Sequence, residues 1–581
     1  MIRHFLALAL LALPLAEPAA SRSSPTTTPG MVSAADPRAT AAGAEILRAG
    51  GSATDAAIAM MLALGVVEPG HSGLGGGGFL VGYDAKTGTT STIDGREAAP
   101  AAATDHWFYG PDGQPLTHAQ AVPGGRSVGV PGALRLMAAA HAKGGKLPWA
   151  RLFQPALRLA RDGWAISPRF YTFLTRTPPG FLAGWPVAYL YNPDGSAKPV
   201  GTLLRNPEQT ALLTALAAKG ADYFYKGPPA RTLAATVDGA SRNPSKMTPA
   251  DLATYRARPR DPVCGTYRTY RICGMGPPSA GGITVLQILK QLERFDIAAL
   301  GPRSPVAWHL FAESSRLAYA DRDAWIADPD KVTVPIAGLL APDYIAQRSA
   351  LISETASLAT VAPGQPAGAP PRKAVPPGPE HGTTDLVAVD RAGNVIEVTT
   401  TIESVFGSGL TMNGIFLNNQ LTDFDIVPDR GGYLAANRVQ GGKRPRSSMS
   451  PTIVYDASGK VRLAIGAAGG STIIAQVAKA LIGVIDWHLS AQDAIGLGLI
   501  FAPGPLAIAE QATQAEAMVP ALRALGEQIT VAPLGLKANA IERVDGHWVG
   551  AADPRSEGVS QSETGPAIVP PKAAAIARPS E

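Results

Sequence analysis

The chain is poor in cysteine, histidine, unbalanced charge and long apolar runs, and each shortage excludes something. Two cysteines in 581 residues cannot staple a fold of this length, so a disulfide scaffold is out. The nine histidines show no His-x-x-x-His spacing and no Cys/His cluster, so no metal and no cofactor is expected. A net charge of +5 is small for the size, and no Lys/Arg run suggests a groove for nucleic acid. No run of eighteen apolar residues occurs, so no membrane-spanning helix is expected.

What is present is ordinary globular material. The apolar fraction, 46%, excludes disorder throughout. Glycine (63) and proline (52) are enriched but stay below the roughly 25–30% of low-complexity chains. The length suits two to four domains or one large layered unit, by the usual domain size of about 100–200 residues.

Residues 1–20 read MIRHFLALALLALPLAEPAA. Arg3 is basic, Phe5 to Leu13 are apolar, Pro14 breaks the run, and Ala19-Ala20 are small. This is the pattern of a secretory signal, and the protein is expected to be periplasmic or secreted. A buried N-terminal helix is the alternative.

Residues 31–68 read as helix-forming, broken at Gly50-Gly51 and recapped by Ser52. A glycine-rich turn and two strands, FLVGYD and TSTID, follow. Residues 133–141, 149–162 and 208–218 have apolar residues three and four apart, the spacing of amphipathic helices. Residues 305–328 read as another helix. Residues 352–382, rich in Pro, Gly and Ala without apolar periodicity, read as a mobile linker. Beyond it the chain turns to paired strands, DLVAVD with VIEVTTTI and PTIVYD with VRLAIGAAGG, then a helix over 471–485. This order suits an α+β fold with helices covering a central pair of sheets.

Two motifs mislead. Gly73–Gly78 contains G-x-G-x-x-G, but a strand follows where a dinucleotide site needs a helix. GHSGL lacks the last glycine of a nucleophile elbow. A tight turn with close backbone approach explains both.

In VCGTYRTYRICGM, a hairpin turning at Arg268-Thr269 places Cys264 opposite Cys273. A cross-strand disulfide is expected in an oxidising compartment, and a pair of free buried thiols is the alternative.

Chemistry is concentrated in EHGTTDLVAVDRAGNVIEVTTTIESVFGSG. A threonine hydroxyl is a poor nucleophile without an adjacent base. A newly exposed N-terminal threonine carries its own, because an α-amine titrates near 7.7–8. Thr383, at the start of a strand, fits that role, although Thr-Thr at a strand start is by itself ordinary β preference.

This stretch resembles the γ-glutamyltranspeptidase (glutathione hydrolase) family of N-terminal-nucleophile hydrolases. So do GGSATDAAIAMMLALGVVEP, SGLGGGGFLVGYD, DGREAAP, GIFLNNQLTDFD, KRPRSSMSPTIV and GAAGGS, covering roughly residues 31–485. The resemblance implies a four-layer αββα sandwich built from two autoproteolytic subunits. A cut between Gly382 and Thr383 would leave a large subunit, 21–382, and a small one, 383–581. Thr383 would then take the γ-glutamyl group of glutathione or a related amide and pass it to water or to an amino acid or peptide. Family positions fall on Thr401, supporting the nucleophile, and on Gly469 and Gly470, donating N–H groups to the oxyanion. Arg96, Ser447 and Ser448 match residues that bind the donor's α-carboxylate. Asp423, with Gln420 and Glu403 beside it, matches the hold on the α-ammonium, and Tyr433 is a candidate lid residue. Two alternatives stay open: an acylase acting on glutaryl or cephalosporin side chains, and an uncleaved, inactive binding homologue.

Overall fold

The computed structural model describes residues 28–177, 179–182, 184–372, 380 and 382–571. The expected signal segment, residues 1–20, lies outside them, as do residues 373–379 and 381 of the expected linker.

Two antiparallel sheets form the centre. Ahead of the linker run β1 (Met31–Ala34), β2 (Gly77–Asp84), β3 (Thr89–Gly95), β4 (Arg258–Arg260), β5 (Val263–Tyr267) and β6 (Tyr270–Gly274). Beyond it run β7 (Thr384–Val389), β8 (Val395–Thr401), β9 (Thr452–Tyr455), β10 (Val461–Ala468), β11 (Lys537–Val544), β12 (His547–Ala552), β13 (Val559–Ser562) and β14 (Ala567–Ile568). The first sheet has the order β14-β13-β1-β7-β8-β2-β3-β4, and the second β12-β11-β10-β9-β6-β5. Helices α1 (Pro37–Arg48), α2 (Ala53–Val67) and α3 (Ala133–Gly144) cover the outer face of the first sheet. Helices α4 (Gly281–Leu292) and α6 (Thr472–Ile485) cover the second, with α5 (Pro305–Trp325) packed on α4. The layers run helix, sheet, sheet, helix, as expected.

Strand β7 shows why both its faces are apolar. Side chains alternate along a strand. Val387 and Val389 join the core between the sheets, while Leu386 and Ala388 join the core under α1 and α2. The hairpin β7–β8 therefore sits between β1 and β2, so strands from both sides of the linker share one core.

The hairpin β5–β6 has the expected register, with Cys264 opposite Cys273 and Tyr267 opposite Tyr270. The two sulfurs are bonded at 2.06 Å.

Three expectations are corrected. Residues 31–34 are not helix but strand β1, whose Val32 is wholly buried between neighbours β13 and β7. Residues 149–162 form two helices, Trp149–Leu152 and Gln154–Asp162. Pro155 in the first turn of the second lacks an N–H and cannot continue a helix from before it. The described part of the linker, through Arg372, carries no helix or strand but does not hang free. Leu358 N–H donates to Glu313 (2.7 Å), Gly364 N–H to Asp321 (2.8 Å), and the Trp325 indole to the Gly364 carbonyl (3.1 Å). All three partners lie on α5.

Candidate active site

Strand ends bring the site together. Thr383 immediately precedes β7, and Thr401 is the last residue of β8. The register Thr384 opposite Thr400 puts Thr401 beside Gly382 and Thr383. Arg96 follows β3, and Gly469-Gly470 follow β10 in the facing sheet.

At the Gly382–Thr383 bond two hydroxyls converge on one oxygen. Thr383 Oγ1 donates to the Gly382 carbonyl at 2.5 Å and Thr401 Oγ1 at 2.6 Å. Thr401 Oγ1 is itself held by the Glu403 N–H at 2.7 Å. Gly382 has φ +26°, and a Cβ there would meet the Glu403 carbonyl oxygen at 2.3 Å, so only glycine fits. The glycine-rich turn serves the same corner: a Cβ on Gly76 would lie 2.0 Å from the Thr401 carbonyl oxygen.

Thr383 opens on two sides. Toward the interior, an almost filled pocket of about 10 Å³ brings together Arg96, Thr401, Glu403, Gln420, Asp423 and the Ser447-Ser448 pair, with Gly470 at its edge. Arg96 is 1% exposed, and its guanidinium donates to the Pro445 (3.2 Å) and Arg446 (2.7 Å) carbonyls and to Asp423 Oδ2. Gln420 Nε2 also donates to Asp423 Oδ2, at 3.0 Å. Burial pushes the Asp423 carboxyl up to about 6, with Arg96 pulling the other way. Asp423 Oδ1 and Gln420 Oε1 are buried acceptors without a partner among the described residues. Glu403 adopts φ +77°, held by Ser404 Oγ and by Asn419 Nδ2 (2.5 Å) on its carboxylate.

Toward solvent lies a cavity of about 500 Å³, lined by Thr383, Gly469, His71, Arg169, Phe173 and Lys537 among others. Gly469 thus faces one side of Thr383 and Gly470 the other, both with positive φ (128° and 60°). Tyr433 lies on a small hairpin, 41% exposed, and lines neither cavity.

Several residues beside Thr383 carried no signal in the sequence. Thr384 Oγ1 donates to Glu68 (2.7 Å), which also takes Lys537 Nζ at 3.0 Å. Burial would raise the Glu68 carboxyl, but Lys537 and its other neighbours outweigh it and hold it at about 2. Burial and Lys537 keep His71 neutral, down at about 3. Asp385 and Glu397 lie between the sheets, where a Cβ on Gly466 of β10 would meet both carboxylates, at 2.1 and 2.0 Å. Burial raises Asp385 to about 6 and Glu397 well above the carboxylate range, the latter also through Asp385.

The arrangement provides a hydroxyl nucleophile, a polarised peptide carbonyl before it, a glycine pair beside it and an ionic pocket behind it. That is equipment for acyl transfer. Comparison with known proteins gives a matching picture. The family model described as Gamma-glutamyltranspeptidase matches residues 39–562. The glutathione hydrolase proenzyme of Bacillus subtilis is 36% identical over 543 residues, 91% of each chain. The acylase ACY 1 proenzyme of a Pseudomonas strain is 34% identical, over 92% of this chain and 94% of its own. A crystal structure of a cephalosporin acylase from Bacillus halodurans superposes with a TM-score of 0.80, 25% identical, covering 95% of this chain and 99% of its own.

Proposed function

The chain belongs to the gamma-glutamyltranspeptidase family, and we propose that it is an exported γ-glutamyltransferase and glutathione hydrolase that makes its own nucleophile. Thr383 Oγ attacks the Gly382 carbonyl carbon, while the Thr401 hydroxyl at 2.6 Å stabilises the charge gathering on its oxygen. The hydroxyl proton passes to the Thr383 nitrogen, the Gly382–Thr383 C–N bond breaks, and an ester on Oγ with a free α-amine is left. Water hydrolyses the ester, giving a carboxylate on Gly382 and returning the free hydroxyl of Thr383 beside its α-amine. The two chains stay together because β7 and β8 run inside the first sheet.

In the mature enzyme the α-amine takes the Thr383 hydroxyl proton as the oxygen attacks the γ-carbonyl of the donor. Gly469 and Gly470 supply N–H groups to the oxyanion. The leaving amine carries off the proton, and water or an amino acid or peptide releases the γ-glutamyl group. Arg96, Ser447 and Ser448 bind the donor's α-carboxylate, and Asp423, Gln420 and Glu403 receive its α-ammonium.

The observation that carries this reading is the pair of buried acceptors, Asp423 Oδ1 and Gln420 Oε1, in the pocket behind Thr383. A buried acceptor left unbonded costs about 1–3 kcal/mol, and an ammonium with three donors satisfies both. A glutaryl group brings no donor there. The second reading, an acylase for glutaryl or cephalosporin side chains, draws on the likeness to the Pseudomonas acylase. An uncleaved, inactive binding homologue would remain one polypeptide. Comparing hydrolysis of γ-glutamyl and glutaryl anilides decides between the two enzymes: faster γ-glutamyl turnover is expected, and faster glutaryl turnover overturns the choice.

A further inference from the structure

The uncut chain keeps a carboxylate of its own in the inner pocket. Glu380, just ahead of the cut, is 11% exposed, and its carboxylate lies on the guanidinium of Arg322. Arg322, on α5, is wholly buried and donates through Nη2 to Ser448 Oγ at 2.7 Å and through Nη1 to Asp323 at 2.6 Å. Glu380 lines the same pocket as Thr383, Arg96 and Asp423. Burial alone would raise its carboxyl, but Arg322, Ser448 and Arg446 outweigh this and keep it ionised.

We propose that Arg322 is a further donor-binding residue, which with Ser448 takes the α-carboxylate of the γ-glutamyl donor, and that Glu380 holds this position in the uncut chain. The inference rests on the γ-glutamyl reading above. Arg96 is already bound to Asp423 and to two carbonyls, whereas Arg322 has Glu380 as a partner that the cut detaches from Thr383. After the cut Glu380 belongs to the end of the large subunit and can withdraw. A buried guanidinium that loses one of its two carboxylates favours an incoming anion, and a charge-assisted bond to carboxylate is among the stronger hydrogen bonds. Ser448, held by Arg322 and lining the same pocket as Glu380, would then meet the same chemical group on Arg322 before and after: first the side-chain carboxylate of Glu380, then the donor's.

The test uses uncut protein, in which Thr383→Ala removes the nucleophile, and glutathione as the probe. Calorimetry compares Thr383→Ala with Thr383→Ala/Glu380→Ala and with Thr383→Ala/Glu380→Gln, which keeps the side-chain volume without the charge. If Glu380 holds its position nine-tenths of the time, the single variant binds about tenfold more weakly than the double variants. Equal affinity in all three, or no binding in any, overturns the proposal. In the cut enzyme, Arg322→Lys should raise KM for a γ-glutamyl anilide while leaving kcat near the unsubstituted value. A lowered kcat with unchanged KM overturns the role of Arg322. Failure of the γ-glutamyl reading shows up separately, as unsubstituted cut enzyme that does not hydrolyse that anilide.

Discussion

Thr401→Val keeps the branched shape that suits the end of β8 and deletes one hydroxyl. In the uncut chain that hydroxyl donates to the Gly382 carbonyl at 2.6 Å and accepts the Glu403 N–H at 2.7 Å. The first bond strengthens as charge gathers on the carbonyl oxygen during attack by Thr383. Removing one donor of this kind slows acyl transfer by about 10²–10³, or about 2.7–4 kcal/mol of barrier. The second bond holds a buried N–H, and leaving it unpaired costs about 1–3 kcal/mol of stability. Thr401→Ser restores both bonds. The assay follows freshly purified precursor on denaturing gels and fits the rate at which one band becomes two. Self-cleavage slower by about two to three orders of magnitude in the valine variant, with recovery in the serine variant, is expected. Thr401→Val cutting at the unsubstituted rate would refute the role of this hydroxyl.

Three further outcomes follow from the same geometry. Gly382→Ala places a Cβ 2.3 Å from the Glu403 carbonyl oxygen, so the scissile carbonyl must shift off Thr401; a time course of self-cleavage should show accumulated precursor. Asp423→Asn leaves a neutral partner for the α-ammonium and should raise KM for γ-glutamyl anilide far more than for glutaryl anilide. In the unsubstituted enzyme the fall of kcat/KM toward low pH, begun by protonation of the Thr383 α-amine, should steepen as pH drops through about 6, where Asp423 takes a proton, and that added steepness should be lost in Asp423→Asn. The Asp385–Glu397 pair predicts a pH-dependent stability. Both carboxyls bind protons more tightly folded than unfolded, so the fold is not penalised below about pH 4 and loses stability as pH rises through about 6. Because burial raises the Asp385 carboxyl, Asp385→Asn should stabilise the fold more at pH 8 than at pH 4. Melting curves at the two pH values check it, and equal shifts at both would contradict it.

Local pattern reached a long way into this molecule. The hairpin β5–β6 was readable because its turn fixes which residues face each other, and Cys264 and Cys273 meet accordingly. The motif residues Arg96, Thr383, Thr401, Glu403, Gln420, Asp423, Ser447, Ser448 and Gly470, scattered over the chain, line one pocket. The failures are long-range. Four residues, MVSA, become a strand only because a slot exists between β13 and β7, both far downstream. Glu68 and Lys537 pair under the nucleophile across 469 residues of sequence, which no spacing rule can anticipate. The partnership of Glu380 with Arg322 is hidden in the same way, because a Pro- and Gly-rich texture says nothing about where one carboxylate is held.

The central claim is that Thr383 is both the agent of its own release and the nucleophile of the mature enzyme. Denaturing electrophoresis of the purified protein beside Thr383→Ala, with γ-glutamyl anilide hydrolysis measured on the same samples, tests it most directly. Two bands with activity for the unsubstituted protein, and one inactive band for Thr383→Ala, is the predicted result. A single band for both proteins, or two bands for Thr383→Ala, would contradict the account.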